Sequence, residues 1–189
     1  LSLPCTQFLA LRIGSAGSAK AFLCDSGLSF GTGMNEFHVP KRPVQVDITS
    51  AGGVTHRVEV YLAEFASSHV GGERISDLLN GGAFLPATDE LNHKVVFLSC
   101  SGLAVVRVPR AVEAEDDAAA HTIPTEHEVE VTLLGGQALK GLISYVLPPG
   151  RARIIDFLNV CPRFIPLLVD DQVALINRDH VAQIELLVR

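Results

Sequence analysis

The chain is 189 residues long, 48% hydrophobic and only 6% aromatic, with a formal net charge of −6 from 15 basic and 21 acidic residues. That length holds one ordinary domain or two small ones, and the apolar fraction is ample for a core, which excludes wholesale disorder. The acidic balance excludes the basic field of a general nucleic-acid binder, and no apolar run approaches the ~20 residues of a membrane-spanning helix.

In chain order, residues 1–40 read as a flexible N-terminal extension. GSAGSAKA and GLSFGTG are small-residue patches without strand or helix periodicity. The only methionine is Met34, and ordered patterning begins with MNEFHVPKRPVQV. Two readings stand: residues 1–33 precede a natural start at Met34 and are not native, or they are a genuine flexible arm.

A first unit is expected over residues 41–110. VQVDITSAGG alternates apolar and polar residues, as a half-buried strand does, and ends on Gly52-Gly53, suited to the positive φ of a hairpin turn. THRVEVYLA is the returning strand, and SSHVGGE is a loop. In RISDLLN (Arg74–Asn80), Ile75, Leu78 and Leu79 fall at helical spacing, enough for one or two turns plugging a barrel end. Asn80 before Gly81-Gly82 marks the helix C-terminus, and Asp77 and Asn80 are assigned to capping and loop hydrogen bonds. KVVFLSCSGLAVVRV then supplies two strands around a Ser-Cys-Ser-Gly turn.

Residues 111–125 are expected to be an acidic, Ala-rich, solvated linker. A second unit, residues 126–189, then writes the first one again. HEVEVTLLGG ends on Gly135-Gly136, ALKGLISYV returns, and RIIDFLN (Arg153–Asn159) matches RISDLLN at five of seven positions. Asp156 answers Asp77, Asn159 answers Asn80, Phe164 answers Phe84, and QVALINRDHVAQIEL closes the unit. Matching blocks kept in order imply an internal duplication. Strands this short leave open edges unless the sheet curls, so the expected fold is mainly β. It consists of two tandem small barrels, each with about five strands and one short helix, packing as a pseudo-dimer.

VEVTLLGGQALKGLISY, with Gly136 and Gly141 five apart, is similar to the first signature of the Sm-like fold, and ALINRDHVAQIEL to its closing hairpin. The whole unit resembles a bacterial domain of unknown function, seen singly or in tandem, with a glycine pair, RI-x-D-x-LN and Phe-apolar-Pro. The resemblance covers about residues 44–108 and 127–187 and implies a small Sm-like (SH3-like) barrel. Asp156 to Asn159 is one residue shorter than the Sm spacing, Val58 stands where the second unit has Gly141, and neither closing turn joins a basic residue to a glycine.

Residues able to carry chemistry are sparse. The four cysteines are scattered, without a CxxC pair, and read as buried thiols of a reducing, cytoplasmic setting. His121 and His127, beside Glu126 and Glu128, have the residue types of a metal site but the context of a solvated linker. His180 follows Asp179, yet adjacent residues on a strand or turn point apart. Asp170-Asp171 reads as a turn. No catalytic, cofactor-binding or metal residue is therefore assigned, no cofactor is expected, and the protein is not expected to be an enzyme. The expected function is a protein-interaction or assembly module with no nucleic-acid or membrane partner. The alternative is an Sm-like RNA binder. Asn177, Arg178 and His180 in the closing turn, with Arg151, Arg153 and Arg163 near the second helix, are the candidate contact residues for either. Gly52, Gly53, Gly135 and Gly136, with the paired Asp and Asn residues, are assigned structural roles.

Overall fold

The structure, a computed structural model, describes residues 40–113, 123–148, 150 and 153–187; the readings of residues 1–33 and of Arg151 lie outside them. Apolar alternation builds the first hairpin. Strand β1 (Lys41–Ser50) buries Val44, Val46 and Ile48, and β2 (Thr55–Ala63) buries Val58, Val60 and Leu62. Val46 lies opposite Val58 and Val44 opposite Val60, so one face of the pair is continuous and apolar. Gly53 at φ 82° makes the turn, and Gly136 at φ 83° makes the corresponding turn of the second half.

Helix α1 (Ile75–Gly81) follows within a residue of the expected span, burying Ile75 and Leu79. Strands β3 (Phe84–Asp89), β4 (Val95–Ser99) and β5 (Leu103–Pro109) complete the first half, with a 3-10 turn at Cys100–Gly102 between the last two. The expected linker begins as structure. Helix α2 (Arg110–Glu113) packs Val112 on the first core, and the Glu113 carboxylate accepts a hydrogen bond from the Ser76 N–H at 3.1 Å, satisfying a first-turn donor of α1. Residues 114–122 lie outside the described residues.

The second half runs β6 (Thr125–Leu133), β7 (Ala138–Tyr145), α3 (Ile154–Val160), β8 (Phe164–Val169), β9 (Gln172–Asn177), a 3-10 turn at Arg178–His180 and β10 (Val181–Leu186). Asp170, at φ 51°, turns β8 into β9, as the Asp170-Asp171 pair suggests. At Gly141 an added Cβ would meet the Leu168 carbonyl oxygen and, at 2.8 Å, Leu167 Cγ. Glycine there lets β8 approach β7. In the first half Val58 occupies the corresponding place on β2, opposite Asp89.

The chain is mainly β, as its patterning implies. Its ten antiparallel strands, however, form one unclosed sheet in the order β10-β6-β7-β8-β9-β5-β1-β2-β3-β4. Within it the halves share one order, β5-β1-β2-β3-β4 and β10-β6-β7-β8-β9, and the join is β5 on β9. They also share a bulge: the β1–β5 ladder skips Ala104 and the β6–β10 ladder skips Ala182. Each half has an apolar core of its own, and three side chains of the second half, Phe164, Val173 and Leu175, enter the first core. Among the described residues no helix is long and apolar enough to cross a membrane.

Candidate functional site

Hairpin register makes residues of the two halves directly comparable. Phe84 lies opposite Ser99 and Pro86 opposite Phe97, as Phe164 lies opposite Asn177 and Pro166 opposite Leu175. Phe84 therefore corresponds to Phe164, Val95 to Val173, Phe97 to Leu175 and Ser99 to Asn177. The bulges likewise match β10 to β5, with Ile184 answering Val106 and Leu186 answering Val108.

At the join these positions are closed. Val105 pairs with Ile176, Val106 with Leu175 and Val108 with Val173, and all six are at most 3% exposed. Asn177, itself 0% exposed, donates from Nδ2 to the Cys100 carbonyl at 3.2 Å and the Leu103 carbonyl at 2.9 Å, while its Oδ1 accepts from the Asp179 N–H. One buried amide thus ties the closing turn of the first half to that of the second. His180 Nε2 lies 2.7 Å from the Ser101 carbonyl, and the Phe164 N–H donates to Asn80 Oδ1 across the join at 2.9 Å.

At the two ends of the sheet the corresponding residues are open. Phe84 is 62%, Val95 68% and Phe97 71% exposed along β3 and β4, whereas Phe164, Val173 and Leu175 are buried. Fully burying one such side chain is worth roughly 1.5–3 kcal/mol. On β10, Leu186 is 44% exposed and Ile184 half-buried, while Val106 and Val108 on β5 are wholly buried. Helix α3 buries no residue, and Val160 at its end is exposed. Among the described residues no strand pairs with the outer edge of β4 or of β10.

Of the residues singled out from sequence, Asn177 and His180 sit in the join. Arg178 donates to the Cys161 carbonyl at 2.8 Å, and its Nε lies 3.8 Å from Asp179, as does the Nε of Arg163. One carboxylate thus sits beside both guanidiniums. Arg153 is exposed just before α3. Asp77 accepts from the Arg74 N–H at 2.9 Å, the expected capping, and also meets His69 Nε2 at 2.8 Å. Asn80 reaches beyond its own loop to the second half. Asp156 lies in the first turn of α3, and Asn159 is exposed at its end. His127 lies on β6 and stacks on Tyr145 with ring centroids 5.9 Å apart; Tyr145 in turn stacks on Phe157 at 4.6 Å. The sequence marked neither Phe84 nor Phe97 as exposed: a hydrophobic strand residue reads the same whether a neighbouring strand covers it or not.

Burial pushes the thiols of Cys100 and Cys161 above their ordinary value, so both stay protonated near neutrality. His69 is raised by its hydrogen bond to the Val70 carbonyl and then by Asp77. No group of three metal-ligating side chains occurs among the described residues. A groove of about 650 Å³ lies beside α1, lined by Glu73, Asp77, Asn80, Phe84 and Pro86 among others, and leads onto the open β3 surface. No protein-family model, curated protein or solved structure matches the chain.

Proposed function

We propose that the chain is a non-enzymatic interaction or assembly module built from a duplicated small β unit. Each five-strand half is taken as a bent, barrel-like, Sm-like unit around its own core, and the two as a pseudo-dimer joined at β5 and β9. The shared strand order, the shared bulge at Ala104 and Ala182, and the equivalent turns at Gly53 and Gly136 support this reading.

The observation that carries the functional part is the open β4 edge flanked by Phe84, Val95 and Phe97. An unpaired strand offers a row of backbone donors and acceptors, and apolar side chains beside it give an added strand something to grip. An Sm-like RNA binder using Arg153, Arg163 and Arg178 is the alternative. Against it stand the commitment of Asn177 to backbone carbonyls, Asp179 beside two of the arginines, and the net charge of −6.

The test has two arms. Proteins retained by the wild type are expected to be lost from Phe97→Lys, which puts a charge on the edge. Short poly-U and poly-A are expected not to bind at micromolar concentration at low or moderate salt. Binding that weakens with salt, by a slope of about −0.7 per phosphate neutralised, and that disappears in Arg163→Ala would favour the RNA reading.

A further inference from the structure

Among the described residues the sheet has two open edges, and they are complementary in kind. β4 is the counterpart of β9, and β10 is the counterpart of β5. Inside the molecule β9 pairs with β5, so one strand of each type is already used and one of each remains. We propose that the occupant of the open edges is a second copy of this chain, added head to tail so that β4 of one molecule pairs with β10 of the next. This rests on the assembly reading above and names its partner.

The three residues that the second half inserts into the first core are Phe164, Val173 and Leu175. Their counterparts, Phe84, Val95 and Phe97, are the exposed large hydrophobics of strands β3 and β4. The receiving side matches. β5 and α1, which accept the insert, bury Val106, Val108, Ile75 and Leu79, while β10 and α3, which would accept it in the next molecule, leave Ile184, Leu186, Ile154 and Leu158 partly open. The apolar surface missing from one end is thus the surface presented at the other.

The register of the join carries over. Val106 opposite Leu175 becomes Ile184 opposite Phe97, and Val108 opposite Val173 becomes Leu186 opposite Val95. On the other face Glu185 stands opposite Val96, diagonal to Lys94, an opposite-charge neighbour within reach across strands. Two elements of the join are not reproduced. Gly102, the counterpart of His180, has no side chain to reach a facing carbonyl as His180 reaches Ser101. Ser99 replaces Asn177, and its short hydroxyl, already 2.9 Å from Ser101 Oγ, cannot span two carbonyls as the amide does. The contact between molecules is therefore weaker than the contact within one. Because it is heterologous, it repeats: the product is a ring if the rotation closes and an open filament if it does not.

The experiment is light scattering and native mass spectrometry across a concentration series of the full chain, with Phe97→Lys and Leu186→Lys. Both substitutions sit at exposed positions, and Val95→Lys replaces Phe97→Lys should that variant fail to give a cooperative melt. Wild type is expected to form species larger than a dimer as concentration rises, and each variant alone to stay monomeric. Mixed, the two variants should give a 1:1 dimer and nothing larger, since each retains the edge the other has lost. A wild type that stays monomeric to several hundred micromolar, or association unaffected by Phe97→Lys, overturns the inference. So does a mixture that gains no dimer. A monomeric wild type that still loses a partner on Phe97→Lys would leave the broader interaction reading standing.

Discussion

The join between the halves and the outer ends of the sheet are built from the same kinds of strand in the same local surroundings, yet one is sealed and the other is open. β9 and β4 each follow a Phe-apolar-Pro strand and each lead into a 3-10 turn. Leu175 is nonetheless wholly buried, and Phe97 is 71% exposed. What differs is the neighbour. A strand with partners on both sides buries its core-facing residues, and the same strand at an edge leaves half of that surface in water. Burial here is a property of the pairing and not of the residue. The join also has what the ends lack, a buried amide spanning two carbonyls, which ties strand pairing to a fixed register.

Substitutions at corresponding positions can break that comparison or sharpen it. Phe164→Ala should cost about 3–5 kcal/mol in denaturant unfolding, the usual range for a buried Phe. Phe84→Ala should stay within about 0.5 kcal/mol, as surface changes do; equal losses would mean that the free end is covered in the monomer. Leu79→Ala, on the helix beside the join, should cost about 2–5 kcal/mol. Leu158→Ala, half-buried on α3, should cost visibly less by the same melts, and parity would show α3 sealed as tightly as α1.

Asn177→Ala removes a donor from two buried carbonyls and should destabilise by about 1–3 kcal/mol, whereas Ser99→Ala at the open end should change the unfolding midpoint little. The smallest effect is expected from His69, in the longer loop SSHVGGE of the first half. Its folded pKa is raised, so its contribution is fully present below the unfolded value, about 6.5. It is lost as pH rises through the folded value. His69→Gln should flatten the stability profile just above that pH and leave it unchanged at higher pH. An unaltered slope in urea titrations at a series of pH values would show the His69–Asp77 contact to be idle.

Much of the architecture is legible in the residues because it is local. Alternation with glycine pairs predicts the β1–β2 and β6–β7 hairpins, and Gly53 and Gly136 take the positive φ that the pattern demands. Helical spacing in RISDLLN and RIIDFLN places α1 and α3 to within a residue. The structural roles of Asp77 and of the Asp170-Asp171 turn are read the same way, since caps and tight turns depend on a few consecutive residues.

The candidate site was less legible. Asn177, Arg178 and His180 stand out in the sequence as polar residues in a turn, which suits a contact surface. In the structure Asn177 and His180 turn toward Cys100, Ser101 and Leu103 of the first half, and Arg178 caps the end of α3. A polar side chain in a turn hydrogen-bonds whatever backbone the fold brings near, and the sequence does not say which that is.

By itself, then, the sequence determined the strands, the glycine turns of the two first hairpins, helices α1 and α3, and the recurrence of RI-x-D-x-LN. Only the tertiary structure decided that β5 meets β9, that Phe164, Val173 and Leu175 fill the neighbouring core, and that their counterparts are left facing water. The physical reason is range. Turn geometry and apolar periodicity act over a few residues and leave their mark in consecutive letters. The pairing of two strand edges far apart in the chain depends on which edges remain unpaired once every local hairpin has formed.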